Sequence, residues 1–374
     1  MSNLNKNNFI QAVSPQEAAM LPFVFQGRIP RVVFGPGALL HLEREIALLG
    51  ATKALVISSH EQRAKAEMIA SRLGARCAGI YSKAVMHVPI ETAREAREEA
   101  RRLGADCAIA IGGGSTTGLG KAIALESGLP ILAIPTTYAG SEMTPIYGIT
   151  EAGLKKTGKD KRVLPHTVIY DPELTITLPL SLSATSGINA IAHASEGLYA
   201  QDGNPIMSML AEDGIRAMAE GLRLLQDDSR EMYGRSRCLY GAWLCGTVLG
   251  NVGMGLHHKL CHTLGGSFNL PHAETHTIIL PHALAYNARA AEGVMQRIAR
   301  ALGSETAAGG VWDLAKRLGA PIALRDLGLK SEDLDVAADL AMTNVYPNPR
   351  PLERSAIRLL LQHAYEGIRP DTVE

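Results

Sequence analysis

From Lys53 onward, strand-length apolar runs and amphipathic stretches of helical period take turns along the chain. Lys53–Ser58 is apolar, and Glu61–Leu73 repeats its apolar positions at helical spacing. The unit recurs: Arg76–Tyr81 precedes Glu91–Leu103, Cys107–Ile111 precedes Leu119–Glu126, and Ile131–Pro135 leads to a last apolar run at 168–172. Such alternation predicts a mostly parallel, doubly wound α/β sheet, because parallel strands need crossover connections that cover both faces. From about Leu182 the apolar spacing is helical almost to the end and no strand is evident, which predicts an all-α second half. The reading is a leader over 1–20, loosely ordered and Asn-rich, an α/β nucleotide-binding domain over 21–180 and an all-helical C-terminal domain over 181–374. Two β-prone runs, Phe23–Phe25 and Arg31–Phe34, precede the alternation and read as a hairpin or paired extended segment around Gly27 and Pro30. Their open edge needs a partner, either the sheet of the same chain or a second copy across a two-fold interface.

Length and charge narrow the picture. At 374 residues the chain exceeds one ordinary core, and 46% hydrophobic against 20% charged residues supplies material for two. With 37 basic and 37 acidic residues, no bulk electrostatic attraction to nucleic acid or a membrane surface is indicated. Any recognition of an anion must be local. Five scattered cysteines without a CxxC pair fit a reducing cytoplasm, and neither a signal peptide nor a membrane-length apolar run is present.

Candidate chemistry concentrates in one stretch. Between His257 and His282 lie six of the twelve histidines: His257, His258, His262, His272, His276 and His282. Imidazole titrates near neutrality and ligates metals, so this density suits proton transfer, metal binding or anion binding. On a helix, His258 and His262 share a face; Gly265, Gly266 and Pro271 are expected to break that helix, so that His272 returns to the same site from a loop. The α/β half has a second signal, Ala110-Ile-Gly-Gly-Gly-Ser-Thr-Thr-Gly118, between a buried strand and a helix. Glycines there let backbone approach a phosphate, and the helix N-terminus offers free N–H groups. It is not GxGxxG, since Thr117 stands at the third glycine position, and it is not a Walker A loop. A hydroxyl-rich loop, Pro135-Thr-Thr-Tyr-Ala-Gly-Ser-Glu142, follows the next strand, where an open α/β sheet binds its ligands.

Taken together, GGGS at 112–115, PTTYAGSE at 135–142, DPEL at 171–174, NAIAH at 189–193 and the long HHKLCH to LPH segment resemble the iron-containing (group III) alcohol dehydrogenases, from about residue 23 to the C-terminus. The resemblance implies the two-domain plan shared with dehydroquinate synthase, a nicotinamide cofactor bound by the first domain, and an active site in the cleft. RVVFGPGAL near the start, KTGKDKRVLPHTVIYDPELT at 156–175 and YPNPRP at 346–351 are similar to a branch that reduces the carbon–carbon double bond of 2-maleylacetate to 3-oxoadipate with NADH or NADPH, in bacterial breakdown of aromatic compounds. A homodimer is implied too. The alternative within the family is a metal-dependent (Fe or Zn) alcohol or aldehyde dehydrogenase.

By the same resemblance, Gly112, Gly113, Gly114 and Ser115 match the pyrophosphate loop, Thr136, Thr137 and Ser141 the hydroxyl loop, and Lys155, beside Lys156, the lysine of the cofactor groove. Metal-dependent members use an Asp-x-x-x-His pair and later histidines as ligands; those positions hold Asn189, His193, His258 and His272, and His262 matches a histidine near the nicotinamide. Asparagine is neutral and a weak ligand, and an enolate needs less stabilisation than an alkoxide, so the expectation is an enzyme without a metal in which these side chains act as hydrogen-bond donors. Arg350 and His276 are candidates for the dianionic substrate. Ser59 stands where NAD-selective members carry Asp, which predicts use of both NADH and NADPH.

Overall fold

A computed structural model describes residues 23–152 and 154–370, with the side chain of Lys155 outside the described set; the leader expected over 1–20 also falls outside it. The α/β half runs β1 (Arg31–Phe34), α1 (Leu42–Leu48), β2 (Ala54–Ile57), α2 (Arg63–Leu73), β3 (Cys77–Tyr81), α3 (Ile90–Leu103), β4 (Cys107–Gly112), α4 (Gly114–Ser127), β5 (Ile131–Pro135), β6 (Ile146–Glu151), β7 (Leu154–Lys159) and β8 (Thr167–Tyr170). The helical half follows as α5 (Leu180–Gly197), α6 (Pro205–Asp227), α7 (Met232–Asn251), α8 (Leu256–Phe268), α9 (His272–Asn287), α10 (Glu292–Leu302), α11 (Ala307–Arg317), α12 (Asp333–Ala341) and α13 (Arg354–Glu366).

The main sheet has the order β1-β8-β5-β4-β2-β3, and every pairing in it is parallel. Its inner strands β2, β4, β5 and β8 are buried at every residue. Successive side chains leave for opposite faces: Ala54, Val56, Ile109 and Ile111 join one apolar cluster, whereas Leu55, Ile57 and Ala108 join another. Continuous Val/Ile/Ala runs are what a sheet covered on both faces requires. In β4 and β5, Gly112 pairs with Pro135, so the loops leaving these strands emerge side by side. Open parallel sheets place ligands at such carboxyl ends.

The hairpin expected over 23–34 does not form. Residues 23–30 form no helix or strand, Val24 is fully exposed, and β1 alone joins the sheet, parallel to β8 from Arg31↔Thr167 to Phe34↔Tyr170. The chain thus caps its own sheet, and Arg31 Nε holds the buried Glu45 carboxylate at 2.7 Å. A small antiparallel hairpin, β6 with β7, stands apart from the main sheet, and the apolar pattern gave no sign of it because β7 reads LKKTGK.

The helical half is built around α5, which is buried from Ser183 through Gly197 and packs on α6, α7 and α9. Its sequence is rich in Ala, Ser and Gly, which lets neighbouring helices approach from all sides. Gly187, Gly214 and Gly241 sit where a Cβ would press on a neighbouring helix. Contrary to expectation, α8 continues through Gly265 and Gly266 to Phe268. It ends at Asn269, in the left-handed region at φ 54°, and His272, after Pro271, is the first residue of α9 rather than part of a loop. Among the described residues no helix is long and apolar enough to cross a membrane.

Candidate active site

Three helices deliver the histidines. On α5, Asn189 and His193 are one turn apart and share a face, and α8 and the first turns of α9 bring His257, His258, His262, His272 and His276 to it. Ring centroids lie 5.0 Å apart for His193 and His258, 5.1 Å for His258 and His276, and 4.2 Å for His272 and His276. His193 Nδ1 faces His258 Nε2 at 2.9 Å.

The outer partners assign the tautomers. His193 Nε2 meets the Ala139 carbonyl at 3.3 Å, which can only accept, so the proton is on Nε2. His258 Nδ1 donates to Glu196 Oε2 at 2.7 Å. Glu196 is fully buried and also accepts the backbone N–H groups of Gly255, His257 and His258 at the start of α8. Burial alone would raise its carboxyl, but the His258 hydrogen bond, the neighbouring imidazoles and the Gly255 N–H hold it down at about 2. Glu196 is therefore an anion that orients His258 and caps its helix at once. With the outer nitrogens of His193 and His258 turned to the Ala139 carbonyl and to Glu196, the inner nitrogens of the two rings face each other, and Asn189 Oδ1 is buried without a partner.

A second chain runs behind. His257 Nε2 and His276 Nδ1 are 3.0 Å apart, and Cys261 Sγ lies 4.0 Å from His257 Nδ1. Burial pushes His257 down to about 3, lowers His276 and raises the Cys261 thiol, so all are neutral. The Nε2 of His276 is buried and unpartnered. His262 differs from the rest: it is exposed, and its Nδ1 lies 3.1 Å from Tyr346 Oη.

Arg350 is not brought to this cluster. Its guanidinium stacks 4.3 Å over the Tyr286 ring, about 15 Å further along α9 than His276, and the bonds of Asn348 and Pro351 to Asn287 and Tyr286 at the far end of α9 hold it there. The assignment of Arg350 to the substrate is corrected accordingly.

In the α/β half the cofactor candidates converge. Gly112 has φ 151°, and a Cβ on it would meet Thr116 Oγ1 at 2.5 Å; one on Gly113 would lie 3.1 Å from Thr137. Gly114 and Ser115 open α4, the Thr136 N–H donates to the Gly112 carbonyl at 2.9 Å, and Thr136 Oγ1 is buried without a partner. Ser141 follows on the hydroxyl loop. Gly140 passes so close to Gly246 of α7 that a Cβ would lie 2.9 Å from its Cα, which seats this loop on the helical half. Ser59 follows β2, and its hydroxyl supports the Glu61 carboxylate. Lys155 lies opposite Thr150 on β7, its side chain outside the described set, while Lys156 pairs with Glu151.

Sequence reasoning missed Glu196 and Tyr346 as site residues, and also Arg235, which is fully buried and donates to Tyr138 Oη at 2.9 Å and Ser183 Oγ at 2.8 Å. Glu196 lies three residues after His193, and that spacing on a helix was the available signal.

The pattern described as "Iron-containing alcohol dehydrogenase" matches residues 30–172, and "Fe-containing alcohol dehydrogenase family, C-terminal" matches 183–365. The chain belongs to the iron-containing alcohol dehydrogenase family. Within it, the chain is 66% identical over 351 residues to a maleylacetate reductase of Burkholderia cepacia, covering 94% of this chain and 100% of the relative. The crystal structure of maleylacetate reductase from Agrobacterium tumefaciens superposes with TM-score 0.90 at 53% identity, covering 94% of this chain and 100% of that one. An iron-containing alcohol dehydrogenase from Corynebacterium glutamicum gives 0.89 at 42%, covering 94% and 98%.

Family membership overturns the expectation of a metal-free enzyme, since both halves match iron-containing dehydrogenase patterns. The donor set agrees with the correction. The inner nitrogens of His193 and His258, 2.9 Å apart, can turn lone pairs to a shared cation, and the unpartnered Asn189 Oδ1 is a further oxygen donor. The Glu196–His258 pair is the carboxylate–histidine arrangement that steadies metal-ligating imidazoles.

Proposed function

We propose that this site reduces the carbon–carbon double bond of 2-maleylacetate to 3-oxoadipate, with hydride from NADH or NADPH, in bacterial breakdown of aromatic compounds. The observation that carries the reading is 66% identity across the whole length of a maleylacetate reductase. A metal-dependent alcohol or aldehyde dehydrogenase is the reading it displaces.

In the reaction, hydride adds to the alkene carbon beside the carboxylate, the ketone oxygen takes the electron pair as an enolate, and a proton then reaches the carbon next to the ketone. Asn189, His193, His258 and His272 would hold the iron, which as a Lewis acid supplies stabilisation for the enolate oxygen. Glu196 fixes the His258 ring through Nδ1, and the Ala139 carbonyl fixes His193 through Nε2, so neither imidazole need reorganise as charge develops. His262, open to solvent and steadied by Tyr346, holds the proton destined for carbon and regains it from water. His276 is assigned to a substrate carboxylate: its Nδ1 lies 3.0 Å from His257 Nε2, and its buried Nε2 has no other partner.

Gly112, Gly113, Gly114 and Ser115 take the cofactor pyrophosphate at the α4 N-terminus, and Thr136, Thr137 and Ser141 its phosphates and riboses. Ser59, with Glu61 beside it, faces the adenine ribose. The chain works in the cytoplasm, in keeping with free Cys77, Cys107, Cys238, Cys245 and Cys261, and as a homodimer that uses the exposed residues 23–29 before β1, with light scattering at the mass of two chains as the check.

The test of the reaction is turnover of maleylacetate against a panel of small alcohols and aldehydes, with the product identified. Formation of 3-oxoadipate, with the panel turned over far more slowly, supports the reading; preference for an alcohol or aldehyde refutes it.

A further inference from the structure

Lys121 lies about two turns into α4 and has no exposed surface. A lysine so buried ordinarily finds a carboxylate. Here the adjacent acid, Glu142, accepts instead from Tyr170 Oη at 2.7 Å. Lys121 Nζ donates to the Ser141 carbonyl at 2.6 Å, to Thr144 Oγ1 at 2.9 Å and to the Ile146 carbonyl at 2.8 Å, with Ser141 Oγ at 3.4 Å. An ammonium has three protons, and the close acceptors all come from the segment 141–146. Burial pushes the amine down to about 7, against the pull of Glu142, so these acceptors hold a cation that its surroundings disfavour.

The position of this anchor explains why a cation is kept there. Helix α4 starts at Gly114, inside the glycine loop assigned to pyrophosphate, and Ser141 belongs to the second cofactor loop. That loop's internal bonds gather on the same atoms: Thr144 Oγ1 donates to the Ser141 carbonyl at 3.0 Å and accepts the Ile146 N–H at 3.3 Å. We propose that Lys121 is a positioning residue for the nicotinamide dinucleotide, which pins the hydroxyl loop to the helix that begins at the glycine loop and so holds both halves of the cofactor site in binding geometry. It touches no reacting atom. The inference rests on the cofactor reading given above. Its physical content is preorganisation: without Nζ, the Ser141 and Ile146 carbonyls lose a buried donor, and the loop must be reordered each time the dinucleotide binds.

The test measures binding of NADH by fluorescence titration on the folded holoenzyme of wild type, Lys121→Met and Thr144→Val, together with KM and kcat. Lys121→Met is expected to raise the NADH Kd and KM about tenfold or more while kcat at saturating NADH changes less than about threefold, since a buried charged hydrogen-bond set is lost and the chemistry is not. Thr144→Val, which removes one acceptor and keeps the lysine, is expected to raise Kd in the same direction by about two- to fivefold. Unchanged Kd in folded Lys121→Met, or loss of kcat with Kd intact, overturns the proposal. If Lys121→Met does not fold, an unchanged Kd in Thr144→Val overturns it and a raised one supports it. Failure of the wild type to bind NADH or NADPH at all would instead count against the cofactor reading itself.

Discussion

Glu196 Oε2 accepts a hydrogen bond from His258 Nδ1 at 2.7 Å, and the same carboxylate caps the helix that carries His258. One buried anion thus sets both where the imidazole is and which of its nitrogens faces the site. Glu196→Gln keeps the shape but removes the charge and turns an acceptor into a donor facing other donors. It should lower kcat/KM about 10- to 100-fold and reduce unfolding free energy by about 2–3 kcal/mol, measured by steady-state kinetics and chemical denaturation.

His262 is exposed and its Nδ1 meets Tyr346 Oη at 3.1 Å, as a proton donor that must be recharged from water requires. His262→Ala should cut kcat about 10²- to 10⁴-fold, and Tyr346→Phe, which leaves the ring in place, by a smaller factor. Equal losses in the two variants would mean that His262 and Tyr346 act as one unit and not as a donor with its support.

Metal is expected in stoichiometric amount, on the strength of the family match and the converging ring nitrogens of His193 and His258. Exhaustive chelation should remove it and abolish turnover, and added ferrous ion should restore it, with metal content read by elemental analysis on the same samples. Asn189→Asp should tighten metal retention, because a carboxylate adds charge to the donor set, and should weaken the dianionic substrate.

Cofactor choice tests the far end of the groove. Ser59→Asp places a second carboxylate beside Glu61 and should depress NADPH use far more than NADH use, while Glu61→Gln should shift preference toward NADPH. Equal effects on both cofactors would show that this corner does not meet the ribose.

Much of the fold was legible because parallel strands buried on both faces must be short apolar runs: Cys107–Ile111 and Ile131–Pro135 announce themselves, and the structure places β4 and β5 there. The β6–β7 hairpin was not, since β7 carries polar residues that read as a loop. In the site, residue types were legible and their pairings were not. Helical spacing joins His258 to His262, whose ring centroids do lie 5.9 Å apart, but the pairings of His258 with His193 and of His262 with Tyr346 run between elements, and no local period encodes them. Glu196 in an alanine-rich helix carries no mark of its burial. Arg350 in a proline-rich turn looked free to meet an anion until packing laid it on Tyr286. The absence of a metal was inferred from the neutral Asn189 and from the lesser stabilisation an enolate needs, whereas the facing nitrogens of His193 and His258 meet only in three dimensions.

The central claim is that hydride goes to an alkene carbon and not to a carbonyl. Turnover of maleylacetate with nicotinamide deuterated at the transferred C4 position, followed by nuclear magnetic resonance of the product, reads the destination of the label directly. Deuterium is expected on a methylene carbon of 3-oxoadipate with the ketone intact; deuterium on a carbinol carbon, with the double bond retained, would contradict hydride transfer to the alkene.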